Sequence, residues 1–148
     1  MSDIRFYHLT QIPLSQALPQ LLERTMQAEK KAIIRVGNEQ RLESLSRWLW
    51  VYKDDGWLPH GKQDDNADGN VIWLTLNKDN PINGEFLFVV EQAVIDGFEA
   101  YERVFYLFDG TNENELTEAR NLWRKLKKQD LELAYWKQDE NGRWQQAA

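Results

Sequence analysis

Apolar residues recur along this chain in two rhythms, one of two residues and one of three to four. Residues 4–9, IRFYHL, alternate and are rich in β-formers, which predicts a strand. Residues 14–28 place Leu14, Leu18, Leu21, Leu22 and Thr25/Met26 at helical intervals, with Pro19 tolerated if it falls in the first turn. AIIRV (32–36) is a continuous apolar run of the kind buried on both sheet faces. Gly37 and Asn38 then supply a tight turn and an N-cap. The helix predicted over 39–52 points Leu42, Leu45, Trp48 and Leu49 inward. Residues 53–70 read as the longest loop. VIWLT (71–75) reads as a strand, NKDNPING (77–84) as a turn, and FLFVV (86–90) as a strand, or a strand passing into a turn of helix. RVFYLF (103–108) is a strong strand and DGTN (109–112) a turn. A helix follows over 113–128, with Asn112 and Glu115 placed as a capping box. LELAYW (131–136) is the last strand predicted, and 138–144 a turn and tail. Strands alternating with helices predict an α/β class: a single three-layer α/β/α domain over 1–148 with a mostly parallel sheet. The expected core includes Ile33, Ile34, Val36, Ile72, Leu74, Val104, Phe105, Leu107, Leu122 and Leu126.

Composition narrows the chemistry. With no Cys there is no disulfide, thiol nucleophile or Cys-ligated metal. The first twenty residues lack a basic start followed by an apolar run, and no segment approaches the ~18 consecutive apolar residues of a membrane span. The expectation is a cytoplasmic protein with no membrane partner. A net charge of −6 argues against direct nucleic-acid binding by the chain as a whole, because phosphate contacts need an excess of Lys and Arg.

A search for catalytic or cofactor motifs returns little. V-G-N-E-Q after the strand 32–36 has one glycine where a dinucleotide turn needs three, so a tight βα turn is the better reading. A small α/β nucleotide-binding protein or enzyme of unknown substrate is the alternative this turn leaves open. His8 sits in a strand and reads as a half-buried, hydrogen-bonded structural residue. His60 has no company at metal-ligand spacing. Asp64, Asp65 and Asp68 lack the calcium-loop pattern and read as a solvated loop. Ser44 and Ser46 fall within a helix without a nucleophile elbow. No catalytic residue, cofactor or metal site is expected.

Charge is distributed unevenly. Residues 119–128, ARNLWRKLKK, hold five cations and no acid; removing them from 18 Lys and Arg leaves 13 against 24 Asp and Glu. On a helical wheel Ala119, Leu122 and Leu126 share the face toward the sheet. Arg120, Arg124 and Lys127 share an adjacent face, and Trp123 falls on the border. Cations late in a helix complement its dipole, which accounts for Lys127 and Lys128. It does not account for Arg120 and Arg124 lining up with Trp123 while Glu113, Glu115 and Glu118 stay near the start. The functional reading is a pocket for an acidic peptide with an apolar anchor. The chain has seven tryptophans. Trp73 and Trp136 read as core. With Trp48 inward, Trp50 is at least partly outward, since residues two apart do not share a helix face. Trp57 follows in a loop that either presents it at an interface or folds back over it.

Several of these segments, in order, resemble the chi subunit family of bacterial DNA polymerase III. They are F-Y-H-L (6–9), R-W-L-W (47–50) followed by W-L-P-H (57–60), E-A-R-N-L-W-R-K-L-K (118–127), A-Y-W-K-Q (134–138) and G-R-W (142–144). The resemblance implies a non-catalytic α/β/α adaptor. It implies binding of the acidic, phenylalanine-ended C-terminal tail of single-stranded DNA-binding protein, and of the psi subunit or another clamp-loader component. It places tail binding on Arg120, Trp123, Arg124 and Lys127, and a second protein interface on Trp50 and Trp57. Trp123 stands where the family pattern suggests a tyrosine. Asp109 stands where an apolar wall residue is suggested, a role left to Phe108 or Leu107.

Overall fold

The computed structural model describes residues 3–50, 61–62, 70–129 and 131–148, with Trp50 as part of its helix. The elements in chain order are β1 (Asp3–Leu9), α1 (Leu14–Gln27), β2 (Ala32–Val36), α2 (Glu39–Trp50), β3 (Gly61–Lys62), β4 (Ile72–Thr75), β5 (Phe86–Val90), β6 (Arg103–Asp109), α3 (Glu113–Lys127), β7 (Glu132–Gln138) and β8 (Trp144–Gln146). A short 3₁₀ turn covers Phe98–Ala100. The strands form one sheet in the order β3-β4-β2-β5-β6-β1-β7-β8. Every pairing is parallel except β7 with β8.

The two-residue alternation sorts the apolar residues into two cores, one on each face. Ile34, Leu74, Phe88 and Leu107 face α1 and α2, meeting Leu18, Leu22, Leu42 and Leu49. Ile4, Phe6, Val104 and Tyr106 face the other way, toward Ala119 and Leu126 of α3. Because both faces are covered, β2, β4 and β5 are buried along their whole length, which is why their sequences are continuous apolar runs. Nine of the ten expected core residues are buried; Leu122 is half-buried and packs against the α3-side core.

The second helical layer is incomplete. α3 covers the β6–β1–β7 part of its face, while Ile82, Ile95, Phe98 and Tyr101, from connections without an α-helix, cover the rest. Those connections run from 76 to 85 and from 91 to 102. They turn through left-handed residues at Asn83, Glu91, Gln92 and Gly97. Arg35 anchors them. It is almost fully buried in β2, its Nε donates to Asn77 O, and its Nη1 donates to Val94 O and Asp96 O at 2.8 and 2.7 Å.

Other differences from the sequence reading have local causes. Pro19 lies inside α1 rather than in its first turn. Lacking an N–H, it leaves the Ser15 carbonyl without its helical donor, and the Trp48 indole Nε1–H donates to that carbonyl. Trp48 therefore lies across α1, 39% exposed, and not in the core. Trp136 is half-buried against the α1–α2 side. The capping box is half formed: Asn112 accepts from the N–H of Asn114 and Glu115, but Glu115 reaches back to the N–H of Asp109. The tail closes a hairpin through Asp139–Arg143 into β8, and β3 lies within the region read as a loop. Positions 51–52, where the second helix was expected to end, lie outside the described residues.

Candidate functional site

α3 begins at the capped Asn112 and lays its apolar side on β6, β1 and β7. Glu113 and Glu115 occupy its first turn and Arg124, Lys125 and Lys127 its last, the order that suits the helix dipole, with Glu118 and Arg120 between them. Arg120, Arg124 and Lys127 are all exposed, and none of them forms an ion pair among the described residues. Side chains three and four apart on a helix are neighbours, so these three and Trp123 form one continuous patch.

Trp123 is half-buried and is fixed from below. Its ring meets Phe6 edge-on at 5.2 Å and Tyr135 edge-on at 5.5 Å. Phe6 and Tyr135 are opposite residues on β1 and β7 and stack at 6.3 Å, with Tyr106 on the far side of Phe6. The Lys127 ammonium lies 5.2 Å from the centre of the Trp123 ring, a cation–π contact. The patch is thus a row of cations above an aromatic floor, with one cation resting on the indole.

Beside this floor His8 is buried, and its Nδ1 is 2.7 Å from the Tyr135 hydroxyl. Burial, then Lys137 and Arg120, push the His8 pKa down, against a smaller upward pull from Asp109. Burial raises the Tyr135 pKa, with Arg120 opposing. Arg120 therefore acts electrostatically on both partners of this hydrogen bond. Gly110 packs over the ring so closely that a Cβ there would overlap His8 Nε2.

A separate cleft of about 630 Å³ opens at the carboxyl ends of β1 and β6, between Thr10–Ser15 and Asp109–Glu115. Its charge is mainly negative. Glu91 is paired with Arg41 at 3.9 Å, and burial, then Asp109, Glu91 and Glu118, raise the Glu115 pKa against the Asp109 N–H. The cleft and the α3 patch are thus opposite in charge. Phe108 and Leu107 are both buried, on opposite faces of β6, and Asp109 is exposed at its end. Gly37 has a packing explanation, since a Cβ there would overlap the carbonyl of Glu91 at the exit of β5.

The structure brings Arg120, Trp123, Arg124 and Lys127 together on one helix face. Trp57, His60, Asp64, Asp65 and Asp68 lie outside the described residues, as does the side chain of Trp50. Sequence reasoning missed Tyr135 and Phe6 as the floor under Trp123. The signal available was their shared parity on two strands, which becomes informative only once β1 and β7 are known to pair. Among the described residues no group of three or more His, Asp or Glu is placed to hold a metal ion. No helix among them is long and apolar enough to cross a membrane.

Comparison with known proteins agrees with the resemblance. The family described as "DNA polymerase III chi subunit, HolC" matches residues 1–134. A curated relative, "Probable DNA polymerase III subunit chi" of Rickettsia prowazekii (strain Madrid E), is 26% identical over 96 residues, covering 64% of this chain. The match spans 58% of that relative's length.

Proposed function

The chain belongs to the DNA polymerase III chi subunit family, and from that premise we propose that it is a non-catalytic adaptor of the bacterial replicative polymerase. In this reading Arg120, Trp123, Arg124 and Lys127 bind the acidic, phenylalanine-ended C-terminal tail of single-stranded DNA-binding protein. The observation that carries it is the exposed row of Arg120, Arg124 and Lys127, with no ion pair among the described residues, beside a half-buried indole, on a chain of net charge −6. A generic cation stripe needs no aromatic. A nucleic-acid surface needs a more extended excess of positive charge. An acidic peptide ending in an aromatic residue uses both parts: Arg supplies two-pronged hydrogen bonds to a carboxylate, and the indole supplies apolar contact. Lys127, resting on Trp123 in the free protein, yields the ring to the incoming side chain and turns to the tail's aspartates. A second surface, on Trp50 and Trp57, faces the psi subunit or another clamp-loader component.

Titration of the full chain with a tail peptide, and with the same peptide lacking its last phenylalanine, tests the reading. The intact peptide is expected to bind about tenfold or more tightly, since burying an aromatic side chain contributes roughly 1.5–3 kcal/mol. Replacing both Trp50 and Trp57 by Ala should leave this binding unchanged and weaken capture of the clamp-loader side. Equal affinity for the two peptides refutes the pocket.

A further inference from the structure

We propose that the Tyr135 hydroxyl, held by His8, is a further binding group of the α3 surface, offering its proton to a carboxylate that Arg120 holds. This inference rests on the reading of that surface as a docking site for a carboxylate-ended peptide. Tyr135 is half-buried on β7, its ring is edge-on to Trp123, and its hydroxyl is 2.7 Å from His8 Nδ1. The His8 ring cannot swing aside. Gly110 backbone covers its Nε2 edge, and Phe108 packs against it at 5.0 Å. The one adjustable feature of the pair is therefore the proton between them.

That hydrogen bond has two polarities. When Nδ1 accepts, the phenol proton points inward and the hydroxyl offers only lone pairs outward. When Nδ1 carries a proton, the phenol oxygen accepts from the ring and its own proton is free to turn outward. Beside Arg120 alone the first arrangement is favoured, because an outward lone pair suits a guanidinium. A carboxylate bound to Arg120 favours the second. It also favours a proton on His8 more generally. In the free protein the charged groups facing His8 are Arg120 from α3, Lys137 from β7 and Asp109 at the end of β6, and the two cations outweigh the acid. A bound anion offsets Arg120, so binding draws a proton onto His8, and by reciprocity acidification strengthens binding. Tyr135 thus adds selectivity for a free terminal carboxylate, and His8 is its positioning residue.

The test uses the full chain and two synthetic acidic peptides ending in phenylalanine, one with a free carboxylate and one amidated, titrated from about pH 8 to about pH 5.5, across the histidine range. The wild type is expected to prefer the free carboxylate, and its affinity for that peptide should rise toward acid. Tyr135→Phe keeps the aromatic floor. It is expected to weaken the carboxylate peptide about five- to tenfold and leave the amidated peptide unchanged. His8→Asn puts a non-titrating amide at the Nδ1 position; it should keep the carboxylate preference and lose the rise toward acid. Unchanged binding of the carboxylate peptide by a folded Tyr135→Phe variant overturns the inference while the docking reading stands. A His8→Asn variant with the wild-type pH profile overturns the role of His8. A wild type that binds neither peptide removes the docking reading and this inference with it.

Discussion

Arg120 and Lys127 lie on the same side of α3 in different company. Arg120 stands close enough to His8 and Tyr135 to shift both, whereas Lys127 rests on the outer face of Trp123. A carboxylate at Arg120 meets a group already set beside a packed floor. Charge-assisted hydrogen bonds there contribute roughly 1.5–3 kcal/mol, so Arg120→Ala should weaken tail-peptide binding about tenfold or more by calorimetry. Lys127→Ala should cost less and lose its effect in high salt, because exposed pairs contribute only ~0.2–1 kcal/mol and are screened. His8 makes a second prediction. Its folded-state pKa lies below its ordinary value of 6.5, with burial the main cause. The unfolded chain therefore takes up the proton first. The contribution of His8 to stability is intact above about pH 6.5 and is lost as pH falls through that value toward the folded pKa. Thermal melts of the wild type should fall over that interval, and His8→Asn should flatten the fall. The cation row was legible in the sequence because helical spacing alone brings Arg120, Trp123, Arg124 and Lys127 together. The Tyr135 floor was not, because it depends on pairing between strands that are distant in the chain.

At the scale of elements, the apolar runs at 32–36, 86–90 and 103–108 are strands, because strands covered on both faces need no polar alternation. What the pattern hid were side chains serving other elements. Trp48 reads as inward by spacing, yet it lies over α1 because Pro19 leaves the Ser15 carbonyl in need of a donor. β8 did not stand out, because 138–144 reads as a turn and tail and the three residues of the strand carry too little pattern. Arg35 is the strongest instance, a lone charge inside an apolar run. It supplies three hydrogen bonds to the connections after β4 and β5, which have no α-helix of their own. Arg35→Ala is expected to cost about 3 kcal/mol in denaturant unfolding, since three charge-assisted bonds from an almost fully buried side chain are lost together. Arg35→Lys should recover part of this, because one ammonium cannot span the same fork. Hydrogen exchange should locate the loosening at 77–101, leaving α3 and its patch unaffected. Loss of protection spread evenly over the sheet contradicts this division.

Across the whole molecule, the two faces of the sheet differ in finish and the two ends of the site differ in charge. α1 and α2 close one face, while α3 and irregular chain close the other. Five cations lie within 119–128, and removing them from the net −6 leaves about −11 on the remainder. The cleft at the carboxyl ends of β1 and β6 carries part of that negative charge in Glu91, Asp109 and Glu115. An acidic peptide should therefore be steered away from that cleft and toward the α3 patch, a preference expected to fall with salt. The central claim is one of location, and it is tested most directly by mapping NMR shifts in the ¹⁵N-labelled full chain during titration with the phenylalanine-ended tail peptide. The account predicts saturable shifts at the Arg120 Nε–H, the Trp123 indole Nε1–H and the backbone of 119–128 and 134–136. Shifts confined to 10–15 and 109–115, or none at saturating peptide, would contradict it.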